Sequence, residues 1–241
     1  MKKIIGISLV KNEDIYVRRS IENVVNFCDK LIVLDNNSTD NTYGILQDLN
    51  NEYDNIDLHK ITNYKTSHEF IDEYIGKDAW VFGVDGDEIY DKQGLTKFRT
   101  KLLSGMYDDK GFNIKGPSFH CCEDNNPYFT GYMDDVKSVC KLYNFSLIER
   151  WQTTERLHNL EGSPPAFKDS VPYSVPYYLN LDRDNWDNAD FKCLHLCFVQ
   201  RSSEEKDKDS SNGRPCPHSD GKNKAKRYKS SEKITIKIDF A

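Results

Sequence analysis

No apolar run in this 241-residue chain approaches the ~20 residues that a membrane-spanning helix needs. The two glycine signatures that cradle phosphates with backbone amides are missing as well. The first strand-like run leads into SLVKNED rather than GxGxxG, and GxxxxGK[ST] occurs nowhere. A dinucleotide enzyme and a P-loop nucleotidase are thereby disfavoured, and any nucleotide would have to be held through a metal. There is no basic excess either: the formal net charge is -6, which argues against nucleic acid as the main partner. The start, MKKIIGISLVKNE, lacks the long apolar core and small-residue cleavage site of a secretory leader. It reads as a first strand, and the expected compartment is the cytoplasm.

Cysteine is present but not patterned. The 7 cysteines are odd in number and irregularly spaced, as reduced thiols would be. Cys193 and Cys197 bracket His195 in a CxxxC arrangement that raises the question of zinc. No second Cys/His pair at finger-like spacing follows, so buried thiols are the expectation.

What the chain does have is 37% hydrophobic and 30% charged residues, ample for a core. Continuous apolar runs at 4–10 (IIGISLV), 31–35 (LIVLD), 56–61 (IDLHKI) and 79–84 (AWVFGV) predict buried parallel strands. Between them, Val17, Ile21, Val24, Val25 and Cys28 recur at helical spacing, as do Tyr43, Leu46 and Leu49, and Phe70, Ile71, Tyr74 and Ile75. Alternation of this kind implies right-handed βαβ units and an open, mostly parallel α/β sheet with helices on both faces. Beyond residue 91, Leu95, Phe98 and Leu102 predict a helix, and 111–122, 136–146, 192–199 and 233–240 read as strands.

Ligands of open α/β sheets sit at the carboxyl ends of the strands. That rule gathers Lys11, Asn12 and Glu13, then Asp35 to Asp40, then Asp85 to Glu88 along one edge. In Asp85-Gly86-Asp87-Glu88 an extended backbone would aim Asp85 and Asp87 the same way, and Gly86 would let a ligand approach. Two hard oxygen donors at such an edge suit Mg²⁺ or Mn²⁺ completed by a phosphate. A calcium loop is not the explanation. The twelve-residue windows from Asp35 and Asp85 lack the required glycine at position six and glutamate at position twelve.

ISLVKNEDIYVRRSIENVVNFCDKLIVLDNNSTDNT followed by AWVFGVDGDE resembles the family 2-type glycosyltransferases of GT-A fold, closely over about 3–91 and loosely over 136–200. The resemblance implies a nucleotide-sugar donor, a UDP-sugar being the expectation, and a glycan or glycoprotein acceptor. It implies that Val10, Lys11, Asn12, Glu13, Asp35, Asn37, Lys65, Asp85 and Gly86 bind the nucleotide-sugar. It further implies that Asp87, with Asp85 and a late His195, holds Mn²⁺ or Mg²⁺.

An inverting transferase needs a carboxylate to deprotonate the acceptor hydroxyl. Asp135, Glu155 and His158 are the candidate catalytic residues, with Asp134 and Glu161 as further acids. The segment ERLHNLEG has Asn159 where related enzymes write Glu after His, which leaves the base open. Arg150, Arg156 and Arg183 could steady the leaving diphosphate beside Lys65. Tyr132, Trp151 and Trp186 offer faces for an acceptor sugar, although core packing is the commoner fate of Trp.

The expected organisation is a GT-A domain over 1–200, divided into a nucleotide-binding half (1–91) and a loop-rich acceptor half (92–200). A charged linker or loop follows at 201–232, carrying the basic stretch KNKAKRYK. A strand-like tail at 233–241 either rejoins the sheet or opens a further domain. Two other functions fit less well. A sugar nucleotidyltransferase would want a glycine-rich basic loop after strand one, and a non-catalytic nucleotide-sugar- or carbohydrate-binding domain would have less need of an intact DGDE.

Overall fold

The structure, a computed structural model, describes residues 1–134, 141–150, 165–168, 177–179, 186–204 and 233–237. Its spine is β1 (Lys3–Val10), whose apolar run is buried because parallel neighbours flank it and packed layers cover both faces. On one side lie β2 (Lys30–Asp35) and then β3 (Ile56–Lys60), and on the other lies β4 (Ala79–Val84), all parallel to it. The helices α1 (Val17–Val24) and α2 (Thr42–Glu52) make the crossovers. Val10 is in register with Asp35, and Ser8 with Val84, so the carboxyl ends of β1, β2 and β4 open on one edge.

The expected helix around Phe70–Ile75 is instead two 3₁₀ turns, Tyr64–Phe70 and Asp72–Tyr74. Ile71 and Tyr74 are the buried pair, and three-residue spacing eclipses them on a 3₁₀ turn. Gly76, at φ 73, then ends the segment before a longer helix can form.

After β4 the chain leaves this sheet. β5 (Glu88–Tyr90) belongs to a second sheet, and α3 (Lys92–Leu103) returns to cover the first, its start capped by the Asp91 carboxylate. The strand expected at 111–122 is two strands, β6 (Asn113–Lys115) in the first sheet and β7 (Ser118–Asn125) in the second. β8 (Tyr128–Asp134) pairs with β7, and β9 (Lys141–Asn144) returns to lie antiparallel beside β4. Three small pieces follow: β10 (Ile148–Arg150), β11 (Ala166–Phe167) and β12 (Tyr177–Tyr178). β13 (Cys193–His195) and β14 (Ile234–Lys237) complete the second sheet, β14 pairing with β8. The orders are β12-β6-β9-β4-β1-β2-β3 and β14-β8-β7-β13-β5, with β10 and β11 forming a separate ribbon.

The α/β, parallel-rich architecture expected from the sequence is therefore present, with an antiparallel second half. The α-helices lie on one face of the first sheet, and 3₁₀ turns and short strands cover the other, where helices were expected. One face of the first sheet packs Ile4, Val33 and Phe82 against Ile21, Leu46 and Phe98 of the three helices. The other face packs Ile5, Ile32 and Val81 against Ile71, Phe145 and Ile148. The second sheet has its own core of Ile89, Phe119, Phe129, Trp186 and Leu194. Trp186 is buried in that core, and Tyr132 is buried as well, so neither is presented as a sugar-stacking face. Among the described residues no helix is long and apolar enough to cross a membrane.

Gly94 sits inside α3, where Ala would ordinarily stabilise by about 1 kcal/mol. Here a Cβ would lie 2.2 Å from the Asp190 carbonyl oxygen. Gly94→Ala is expected to reverse the usual sign and cost about 1–3 kcal/mol, measured as a lower urea midpoint.

Candidate functional site

The loop after β1 is laced to the loop after β2 by the short polar side chains of NNSTDNT. Asn12 N–H donates to Ser38 Oγ (3.0 Å), Thr39 N–H to Asn12 Oδ1 (2.9 Å) and Glu13 N–H to Thr42 Oγ1 (2.8 Å). Asn12 and Asn37 both adopt left-handed backbone, at φ 53 and φ 55, which Asn tolerates better than most residues. The Asp35 carboxylate is fully buried and accepts the Ser38 amide at 3.3 Å. Val10 is buried, while Lys11 and Asn37 are exposed on the same edge. Lys65 is exposed on the 3₁₀ turn after β3.

Asp85 to Glu88 is the passage from the first sheet to the second. It is a turn, closed by the Glu88 amide on the Asp85 carbonyl (3.1 Å), and not the extended stretch expected. Asp85 and Asp87 consequently meet different partners. Lys141 Nζ on β9 lies 2.9 Å from Asp85 Oδ2 and 2.8 Å from Glu88 Oε1. Glu88 Oε2 also accepts the Asp85 amide and the Tyr90 hydroxyl. Arg201 Nη1 lies 2.6 Å from Asp87 Oδ2 and 3.0 Å from Glu13 Oε1. His195 Nε2 faces the same Asp87 oxygen at 3.5 Å. Where Gly86 was expected to admit a ligand, a Cβ would come 2.9 Å from Glu13 Cγ and 3.1 Å from Val10 Cγ1. Its missing side chain is thus filled by protein, and its carbonyl accepts the Ser20 hydroxyl at 2.6 Å.

Burial and charge compete at these groups. Burial opposes ionisation of Asp87, but His195 and Arg201 override it and hold the carboxyl at about 2. Burial pushes Glu88 up to about 8, with Lys141 pulling the other way. Burial and the Asp87 charge raise Glu13 well above the usual carboxylate range. Burial depresses His195, yet Cys197 and Asp87 raise it overall.

Arg201 opens a short run docked on the first half. The Ser202 hydroxyl donates to Asp40 Oδ2 (2.6 Å), and the Ser203 amide (2.7 Å) and hydroxyl both reach Asp14. The remaining residues of 201–232, from 205 on, lie outside the described residues, as do Asp135, Glu155, His158, Glu161, Arg156, Arg183 and Trp151. Arg150 is exposed at the end of β10.

Lys141, Arg201, His120 and Cys197 were missed or undervalued by sequence reasoning. A lone lysine inside the apolar run VCKLYNF is a usable signal, because burying an ammonium demands an acid partner. Arg201 gave none, standing at the head of a stretch whose composition reads as solvated. Cys193 and Cys197, considered together as CxxxC, part company: Cys193 packs in the helix-side core while Cys197 turns to the two histidines.

No protein-family model matches the chain. Over 154 residues it is 34% identical to a protein of Rickettsia typhi named an uncharacterized glycosyltransferase, a match covering 58% of this chain and 51% of that protein. The chain thus spans about half the length of the curated relatives it matches. Among solved structures it overlaps Staphylococcus aureus TarS 1–349 in complex with UDP at TM-score 0.45 and 14% identity, over 75% of this chain and 61% of that one. It overlaps the mannosyltransferase PcManGT of Pyrobaculum calidifontis, in complex with GDP-Man and Mn²⁺, at TM-score 0.45 and 12% identity, over 77% and 59%.

Removing one member of a buried charge group leaves the others uncompensated, at a cost of about 3–5 kcal/mol. Lys141→Met is expected to destabilise by that amount in chemical denaturation. Adding Glu88→Gln to it should restore part of the loss, because one of the stranded charges is then gone.

Proposed function

We propose that the chain is a metal-dependent glycosyltransferase of GT-A type. It would move a sugar from a nucleotide-sugar, a UDP-sugar being our choice, to a hydroxyl of a glycan or glycoprotein acceptor with inversion. The observation that carries this reading is the convergence of Asn12 and Glu13, Asp35 and Ser38, and Asp85 to Glu88 at the carboxyl ends of β1, β2 and β4. The name borne by the Rickettsia relatives supports the same class.

The charge around the turn fits a divalent cation. Glu13, Asp85, Asp87 and Glu88 face two fixed cations, Lys141 and Arg201. The four carboxylates fully ionised therefore leave an excess of two negative charges when His195 is neutral and of one when it is protonated. Asp85 and Asp87 would hold Mn²⁺ or Mg²⁺, with His195 the third residue assigned to it from the sequence. Bound there, such an ion would offset charge on the diphosphate as the sugar leaves. Asn12, Glu13 and Asp35, with Val10, Lys11, Asn37 and Lys65, would position the nucleotide, while Gly86 would serve by letting Glu13 and Val10 pack against the turn. We assign the acceptor proton to Asp135, with Glu155 and His158 the other members of the catalytic set. A second reading, a non-catalytic nucleotide-sugar-binding domain, draws on Arg201, whose guanidinium already neutralises Asp87.

With a panel of UDP- and GDP-sugars, calorimetry is expected to show donor binding that strengthens with Mn²⁺. Asp87→Ala should abolish that strengthening and lower transfer on the order of 10²–10³-fold. Unchanged metal dependence in the variant would sink the site assignment. A donor that is bound but never cleaved, with any acceptor, would instead favour the binding-domain reading.

A further inference from the structure

A second group of donors lies behind the acid turn, in the second sheet. β7 and β13 pair in parallel with His120 directly opposite His195, and Cys197 follows two residues beyond. One ligating atom from each of the three lies within 4.8 Å of the others. His120 Nδ1 and His195 Nδ1 are 2.9 Å apart, and Cys197 Sγ is 3.6 Å from His120 Nδ1. With metal–nitrogen bonds of about 2.0–2.1 Å and a metal–sulfur bond of about 2.3 Å, a tetrahedral ion needs edges of about 3.3 Å (N to N) and about 3.6 Å (N to S). The observed spacing is already close to that figure. His120 is 4% and Cys197 5% exposed, so the donors are held in place by packing and not by solvent-facing chance.

We propose that His120, His195 and Cys197 form a zinc site, binding through Nδ1, Nδ1 and Sγ with the fourth position left to water or an anion. Thiolate with imidazole favours Zn²⁺ over Mg²⁺ or Mn²⁺, which prefer all-oxygen surroundings. Binding releases the one proton that Cys197 and His195 share and leaves a Cys197 thiolate with both imidazoles neutral. The opposite nitrogen of His195, Nε2, faces Asp87 at 3.5 Å, which makes Asp87 the outer carboxylate that orients a metal-bound histidine. An imidazole with Nδ1 on zinc and Nε2–H turned to Asp87 has no lone pair left for a second cation. The zinc site therefore takes His195 out of the hard-cation set and leaves that set to the carboxylates. It stands whether or not the chain transfers sugars.

The test uses untagged protein titrated with Zn²⁺ and, separately, with Co²⁺ as a spectroscopic substitute. Wild type is expected to bind one equivalent and to show a sulfur-to-cobalt charge-transfer band that excess Mg²⁺ or Mn²⁺ does not remove. Cys197→Ser should abolish the band, and His120→Asn should weaken affinity by more than the ~10–100-fold typical of an outer-shell partner. Asp87→Asn should keep the band, which separates this site from the donor site. X-ray absorption at the zinc edge of wild type, fitted to one sulfur and two imidazoles, gives a result even if a ligand variant does not fold. A folded wild type without the band, a band that survives Cys197→Ser, or a zinc shell without sulfur would overturn the proposal.

Discussion

Four acids, Glu13, Asp85, Asp87 and Glu88, are drawn together where the chain passes between two sheets, and the fold is organised around keeping them tolerable. A buried carboxylate without a partner costs several kcal/mol, so each must meet a cation or give up its charge. Lys141 serves Asp85 and Glu88, and Arg201 serves Asp87 and Glu13. Neither cation is close in sequence to the acids it serves. Lys141 arrives because β9 runs antiparallel to β4 with Lys141 opposite Gly83, two residues before Asp85. Arg201 arrives because the chain continues past β13 and docks on the loops after β1 and β2. Pairing register and electrostatics thus support the same arrangement.

The same seam explains why the turn is chemically crowded. β4 ends in a sheet covered on both faces, and β5 begins in a sheet with its own core. Asp87 lies between them, held through its backbone carbonyl by the Leu196 amide and through its carboxylate by Arg201. His195 of β13 therefore approaches it from the second sheet, while Arg201 joins it to Glu13 of the loop after β1. A mixed set of oxygen, nitrogen and sulfur donors is the natural product of such a junction.

Much of this was legible from residue pattern. The parallel strands declare themselves by continuous apolar runs, and the strand-end rule by itself places Asn12, Asp35 and Asp85 on one edge. What stayed hidden depended on contacts distant in sequence. The shape of the DGDE segment follows from a turn hydrogen bond that local periodicity does not encode, and so does the divergence of Asp85 from Asp87. The partners Lys141 and Arg201 are set by antiparallel pairing and by a docked run of polar residues, neither of which leaves a hydrophobic signature. The strand split at Gly116 shows the same limit: a Cβ there would stand 1.6 Å from the Phe191 carbonyl oxygen, a constraint visible only once Phe191 is in place. Cys193 and Cys197, four residues apart, would share a face of an unbroken strand. They separate because β13 ends at His195 and a turn follows, with the Val199 amide on the Leu196 carbonyl (3.3 Å).

The lacing between the loops after β1 and β2 has a further consequence. Ser38 and Thr42 hold the backbone amides of Asn12 and Glu13, and the Asn12 side chain holds the Thr39 amide, all through short side chains with few rotatable bonds. The conformational entropy of these loops is therefore surrendered when the protein folds rather than when a molecule arrives. A rigid molecule docking on this edge meets groups already in position, and more of its contact energy survives as affinity. Lengthening those side chains, with no change in their polarity, would loosen the edge and show first as faster dissociation.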